Sequence, residues 1–263
     1  MNFDVIVIGS GPGGYVAAIR ASQLGKKVAV VEKENLGGIC LNWGCIPTKA
    51  LLKSAQVYNY IQHAGDYGID NAKGTADFDK IIGRSRGVAD GMSKGVSFLM
   101  RKNKIQVIEG TASLARGKKV VVTDAQGKKS EYSADHIILA TGARAKALPN
   151  LPIDGEKIIE YRKALTLEKL PKRMVVVGAG AIGVEFAYFY NSLGTEVTIV
   201  EFLEQGLLPR EDADVSKELA KVFKKQGINV LANTSVESVD TSGKSIKVHT
   251  KSRKDGKEAI IEC

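Results

Sequence analysis

Two cysteines are the residues best suited to chemistry. Cys40 and Cys45 stand five positions apart in the run Leu36-Gly-Gly-Ile-Cys40-Leu-Asn-Trp-Gly-Cys45-Ile-Pro-Thr-Lys49. Gly44 can loosen the turn between them, so a disulfide is within geometric reach. Ala50 to Ala64 then reads as a helix, with Leu51, Leu52, Ala55, Tyr58 and Ile61 as its apolar positions. Pro47 suits the first turn of that helix, where a missing N–H costs nothing. Cys45 therefore falls near a helix N-terminus, a setting in which cysteines turn reactive. Zinc is a competing reading, but it wants four ligands, and here there are two cysteines with no histidine nearby. Inert buried thiols are the third. A redox pair is preferred, because the segment has a glycine-rich entry, an adjacent lysine and a nucleotide-binding pattern just upstream.

That pattern occurs twice. Phe3-Asp-Val-Ile-Val-Ile8 is a nearly continuous β-branched run, as suits a strand buried on both faces. Gly9-Ser-Gly11-Pro-Gly-Gly14 follows, then a helix from Tyr15 to Leu24 ending at Gly25, then strand Val28–Val31 closed by Glu32. Much later Met174–Val177 leads into Gly178-Ala-Gly180-Ala-Ile-Gly183, a helix to about Leu193, Gly194, strand Glu196–Val200 and Glu201. Gly25 follows Gly9 by 16 positions, as Gly194 follows Gly178; Glu32 and Glu201 each lie 23 beyond the first glycine. One such glycine run is weak evidence, but two in a strand–turn–helix–strand–acid frame are strong. The first glycine allows the tight turn, the second lets a pyrophosphate approach the backbone, and the third packs helix on strand. The helix N-terminus offers unpaired N–H groups to the phosphates. A carboxylate at the end of the second strand accepts from ribose hydroxyls and repels a 2′-phosphate, so the unit starting at Gly178 should prefer NAD to NADP. Two dinucleotide sites suggest two cofactors exchanging electrons, a flavin and a nicotinamide.

Composition narrows the remaining classes. The 263 residues allow one or two domains, and 44% hydrophobic residues can fill a sizeable core. The net charge of +9 comes from lysines scattered along the chain rather than from a basic block interleaved with aromatics, which argues against a nucleic-acid partner. No apolar run reaches the ~20 residues that span a bilayer. Met1-Asn-Phe-Asp4 enters a strand directly, without the basic start of a signal peptide. Three cysteines cannot form a disulfide framework, so a cytoplasmic setting is expected.

The cysteine segment resembles the active-site disulfide of the pyridine nucleotide–disulfide oxidoreductases. Its wording is most similar to the members that oxidise dihydrolipoamide to lipoamide, on the E2 acyltransferase of 2-oxo acid dehydrogenase complexes, with reduction of NAD⁺. The resemblance implies an α/β fold of two Rossmann-like dinucleotide-binding domains with three-layer ββα character. Residues 1–148 would bind FAD and carry the redox disulfide, and 149–263 would form an incomplete NAD-binding domain. It further implies that Gly9, Gly11, Gly14 and Glu32 hold FAD, with Cys45 nearest the flavin and Cys40 the thiol that meets substrate. Lys49 would sit beside the flavin N5 and pair with Glu185. Gly110-Thr-Ala112 would make the backbone contact with adenine, and Asp135–Ala140 would lead into Thr141-Gly142 beside the cofactor. Gly178, Gly180, Gly183 and Glu201 would hold NAD, with Val236 lying along it.

Family members are longer. The resemblance places their catalytic His–Glu pair in a C-terminal dimerisation domain that is absent here, so a fragment of a homodimeric enzyme is expected. Relatives that reduce glutathione carry arginines for NADP where this chain has Glu201-Phe-Leu-Glu204. A mercuric reductase, or a non-catalytic FAD-binding module, would carry many of the same motifs. His63, His136 and His249 are isolated and receive no role as a base. Gly83, Gly87, Gly91 and Gly95 recur every four residues in the segment Asp79–Asn103, which predicts a helix with one small face packed against a neighbour.

Overall fold

The computed structural model describes residues 2–70 and 72–263, so Met1, on which the N-terminal reading begins, lies outside them. The chain divides into two compact units, Met1–Pro47 with Arg84–Arg144, and Thr48–Gly83 with Ala145–Cys263. Helices α3 (Cys45–Gln62) and α4 (Phe78–Lys102) each run across a division.

The first unit holds β1 (Asn2–Ile8), α1 (Pro12–Gln23), β2 (Val28–Glu32), α2 (Gly38–Asn42), β3 (Gln106–Glu109), β4 (Thr111–Ala115), β5 (Lys119–Thr123) and β6 (Lys129–Leu139). Its six-stranded sheet has the order β3-β2-β1-β6-β5-β4. The first four strands are parallel, and β5 and β4 continue as an antiparallel meander. The parallel part turns direction at β1, leaving a crevice at its carboxyl end, where open α/β sheets bind ligands.

Burial explains why β1 and β2 read as continuous apolar runs. Ile6, Ile8, Ala29, Val31 and Ile108 pack under Val120, Val122 and Ala134 of the meander. Val5, Val7, Val28 and Val30 pack on the other side against Ala18, Leu41, Val96 and Met100. Meander, parallel sheet and helices thus form the expected ββα layers. Strand β6 runs unbroken from Lys129 to Leu139. Its first half pairs with β5 and its second half with β1, and no glycine or proline at the junction interrupts it.

The second unit adds α5 (Tyr161–Ala164), β7 (Arg173–Val177), α6 (Ala181–Ser192), β8 (Glu196–Val200), α7 (Ala213–Lys225), β9 (Asn229–Leu231), β10 (Thr234–Asp240), β11 (Lys247–Ser252) and β12 (Glu258–Glu262). Strands β7-β8-β9 are parallel, and β10-β11-β12 form an antiparallel meander. Helix α6 is apolar on most sides and buries Val184, Phe186, Ala187, Phe189 and Tyr190. The Tyr190 hydroxyl donates to the Ala164 carbonyl at 2.6 Å, and burial pushes its pKa upward.

Two helices differ from expectation. Helix α3 begins at Cys45 rather than Ala50, because Pro47 is tolerated inside a first turn. The glycine stripe of α4 is not packed: a Cβ added at Gly83, Gly87, Gly91 or Gly95 would meet nothing within 4 Å. The buried positions are Ser85, Ala89, Val96 and Met100. Ser85 and Ala89 each lie two residues beyond a glycine, and two residues at ~100° each turn them to the opposite face.

Candidate active site

The two glycine turns are built alike, residue for residue. Gly9 has φ +97° and Gly178 φ +101°, a region that favours glycine. Each donates its N–H at 2.8 Å to the carbonyl ending the neighbouring strand, Val31 or Val200. A Cβ on Gly14 would lie 1.9 Å from the Gly9 carbonyl oxygen, and one on Gly183 2.1 Å from that of Gly178. The first and third glycines are therefore required by the chain itself.

The middle glycines are not. Gly11 and Gly180 cap α1 and α6 with φ of −64° and −69°, an ordinary extended backbone open to any residue. A Cβ on Gly180 would meet nothing within 4 Å, and one on Gly11 only the Gly38 Cα at 4.0 Å. Neither helix has a side-chain cap for its first-turn N–H groups; in α1 Pro12 brings none and Gly14 donates to the Gly11 carbonyl at 2.8 Å, which leaves the Gly13 N–H as the first-turn donor for a ligand. Nothing in the chain demands glycine at the middle positions, but a group approaching from outside would. A pyrophosphate fits both positions, since it needs bare backbone and helix N–H donors.

The acids are equally matched. Glu201 Oε2 accepts the Ala179 N–H at 2.7 Å, and Oε1 accepts the Leu203 N–H at 2.8 Å. Glu32 Oε2 accepts the Ser10 N–H at 2.9 Å, and Oε1 accepts those of Lys33 at 2.8 Å and Glu34 at 3.0 Å. The Ser10 hydroxyl adds a further bond to Glu32 at 2.6 Å. Burial raises the Glu32 pKa, but these hydrogen bonds from Ser10, Glu34 and Lys33 outweigh it and hold the carboxyl below its ordinary value. Both acids are thus aimed by their own loops. Gly110, at φ +141°, donates its N–H to the Glu32 carbonyl at 2.9 Å, and Ala112 packs on the adjoining core. Ala140 donates to the Ile8 carbonyl at 2.8 Å, which brings Thr141 alongside Gly9, and Gly142 follows at φ +70°.

The cysteine segment lies against the first turn. Gly37 donates to the Ser10 carbonyl at 3.0 Å, and a Cβ on Gly38 would come within 2.6 Å of the Gly11 Cα. Only glycine permits that approach. Cys40 sits within α2 and Cys45 opens α3, the first half-buried and the second exposed. Buried Asn42 braces the segment by donating to the Leu36 and Gly38 carbonyls, each at 3.0 Å. Lys49, one turn along α3 from Cys45, meets Glu185 with Nζ–Oε1 at 2.5 Å. Val236 is buried with Leu151, Val200 and Val248, and its carbonyl accepts from Asn150 at 2.8 Å.

Several members of this arrangement escape a reading of the sequence. Ser10, Asn42 and the pair Gly37-Gly38 carry a signal, since polar or glycine residues stand where the flanking pattern is apolar. Arg86 carries none: its guanidinium lies over the Trp43 ring at 4.5 Å and donates to the Asn42 carbonyl at 2.6 Å, 44 residues away.

Fold and site define an α/β protein with two matched glycine turns and a cysteine pair seated against the first. The chain belongs to the pyridine nucleotide-disulphide oxidoreductase family, whose sequence profile matches residues 3–263. It is 52% identical over 238 residues to a dihydrolipoyl dehydrogenase of Zymomonas mobilis, covering 90% of this chain and 51% of the relative. A dihydrolipoyl dehydrogenase of Rhizobium etli is 46% identical over 275 residues, covering 97% and 56%. Among solved structures, LpdA from Mycobacterium tuberculosis superposes with a TM-score of 0.86 at 29% identity, over 97% of this chain and 56% of that one. The HOCl-induced flavoprotein disulfide reductase RclA from Escherichia coli gives 0.84 at 27% identity, covering 100% and 55%. The chain spans about half the length of the curated relatives it matches. Among the described residues, no helix is long and apolar enough to cross a membrane.

Proposed function

We propose that this chain is the dinucleotide-binding and dithiol-bearing part of a cytoplasmic dihydrolipoyl dehydrogenase, acting on dihydrolipoamide carried by an E2 acyltransferase and working as a homodimer. Residues 1–148 take FAD through Gly9, Gly11, Gly14, Glu32, Gly110, Ala112, Thr141 and Gly142. Residues 149–263 take NAD through Gly178, Gly180, Gly183 and Glu201, with Val236 backing the site. The observation that carries the cofactor reading is the pair of middle glycines, which no contact within the chain requires. When bound, FAD supplies the acceptor for two electrons and NAD⁺ the onward hydride acceptor.

The chain's own chemistry is thiol–disulfide interchange. One thiolate of dihydrolipoamide attacks Cys40 Sγ of a Cys40–Cys45 disulfide, forming a mixed disulfide and releasing Cys45 as thiolate. The second substrate thiolate attacks the substrate sulfur bonded to Cys40. This closes the lipoamide ring and frees the Cys40 thiolate. Two protons leave the substrate and two electrons remain on the cysteine pair. Lys49, held by Glu185, is the charge proposed to serve the flavin.

Mass spectrometry after alkylation tests this directly. Oxidised, FAD-loaded protein treated anaerobically with dihydrolipoamide should regain two alkylatable thiols, at Cys40 and Cys45. A Cys40→Ser variant should form no such disulfide. Failure of the wild-type pair to oxidise, or to be reduced by the dithiol, would refute the reading.

A further inference from the structure

The whole connection between the helix bearing Cys40 and the helix opened by Cys45 is Trp43-Gly44. Helix α4 grips the cysteine segment at three carbonyls. The Ser93 hydroxyl donates to Leu36 O at 2.8 Å, before the pair, and the buried Ser85 hydroxyl donates to Pro47 O at 2.9 Å, after it. Between the cysteines α4 holds on through Arg86, which donates Nη2–H to Asn42 O and lays its guanidinium on the Trp43 ring. Its Nη1 is buried with no hydrogen-bond partner among the described residues.

Packing alone does not account for an arginine here. An apolar side chain would cover Trp43 without taking a guanidinium partly out of water, and a buried donor left unpaired is a standing cost. What the arginine adds is a planar group that fixes a peptide carbonyl and an indole ring together. Those are the two features that set the path of the chain between the sulfurs.

We propose that Arg86 is a positioning residue for the Cys40–Cys45 pair, holding the Trp43-Gly44 hinge so that the two sulfurs stay within reach of one another. This rests on the redox role proposed for the pair. A disulfide closes only when its sulfurs meet at about 2 Å with a near-perpendicular dihedral. A held hinge therefore raises the effective concentration of one thiol at the other and favours the disulfide. Released, the flexible Gly44 lets the sulfurs part, and the equilibrium moves toward dithiol.

The test is the equilibrium of the FAD-loaded protein with mixtures of reduced and oxidised glutathione. Samples are quenched by alkylation and the Cys40–Cys45 disulfide is counted by mass. Arg86→Ala should lower the disulfide-forming equilibrium constant about tenfold, which corresponds to a reduction potential about 30 mV less negative. Arg86→Lys keeps the charge but loses fork and stacking, and should recover less than half of that shift. Trp43→Leu removes the other half of the stack without touching Arg86, and should lower the constant about threefold. This variant carries the test if Arg86→Ala does not fold. Constants equal to wild type in these variants, alongside reduced thermal stability, would make Arg86 a structural brace only and overturn the proposal. A shift toward the disulfide would overturn it as well. If the wild-type cysteines form no disulfide at any glutathione ratio, both this inference and the functional reading fail; a normal wild-type titration with unmoved variants sinks this inference alone.

Discussion

Alanine at Gly11 separates what the fold needs from what a bound cofactor needs. The backbone there, φ −64° and ψ −179°, is one that alanine adopts freely, and the added Cβ would find only a 4.0 Å contact with the Gly38 Cα. On folding grounds Gly11→Ala should be neutral or stabilising by about 0.4–1 kcal/mol, through the lower entropy of the unfolded chain. At Gly9 or Gly14 the same methyl would sit 2.2 Å or 1.9 Å from a backbone carbonyl oxygen, so those variants should lose several kcal/mol and fold poorly. The effect on FAD should run the other way. A methyl in front of the α1 N-terminus displaces the pyrophosphate from at least one charge-assisted backbone hydrogen bond, worth about 1.5–3 kcal/mol. That is on the order of 10- to 150-fold in Kd. Thermal melts of the FAD-free protein and a calorimetric FAD titration read the two effects separately. A Gly11→Ala protein that melts normally and binds FAD as tightly as wild type would refute the inference drawn from the middle glycine. So would one that loses stability without FAD.

Three further outcomes follow from the site. Glu32→Gln places an amide donor against backbone N–H groups and the Ser10 hydroxyl, and should cost about 1.5–3 kcal/mol at neutral pH. Because the Glu32 pKa is depressed in the fold, its stabilisation is complete above about pH 4.5 and is lost as the pH falls through the folded value. The gap between wild type and Glu32→Gln in urea melts should therefore close in acid. Lys49→Met should change stability by less than about 1 kcal/mol, since its Nζ end is exposed and such pairs contribute little. Its effect should appear in stopped-flow flavin reduction by dihydrolipoamide, slowed at least tenfold. Glu201→Ser removes the acceptor aimed by Ala179 and Leu203, and should raise the NADH Kd on the order of tenfold while narrowing the preference over NADPH, as read by fluorescence titration.

Much of this arrangement is legible in the sequence where local sterics decide the residue. Gly14 and Gly183 are dictated by the carbonyl five residues before each, and Gly9 by its own positive φ as well as by Ala140 across the sheet; the matched spacing to Glu32 and Glu201 follows from one strand–helix–strand geometry used twice. The pairing of Lys49 with Glu185 came from resemblance rather than spacing, since 136 positions separate them. Long-range contacts are harder to see. The grip of α4 on the cysteine segment joins residues 38 to 57 positions apart, and no local pattern marks Arg86. The glycine stripe of α4 misled because regular spacing reveals a face without saying which way it points; Ser85 and Ala89 show that the buried face lies opposite. The five-residue helix around Cys40 is not marked by propensity, because it is held by the bond from Gly37 to the Ser10 carbonyl and by the Asn42 side chain bonding the carbonyls of Leu36 and Gly38 within the segment.

The proposed function requires that the cysteine pair and the first glycine turn act as one redox site. Anaerobic titration of the FAD-loaded protein with dihydrolipoamide, followed by visible absorbance, tests it most directly. A long-wavelength thiolate-to-flavin band should rise with one equivalent of dithiol and be lost in Cys45→Ser. A flavin spectrum unchanged by the dithiol, in protein that binds FAD and carries the Cys40–Cys45 disulfide, would contradict it.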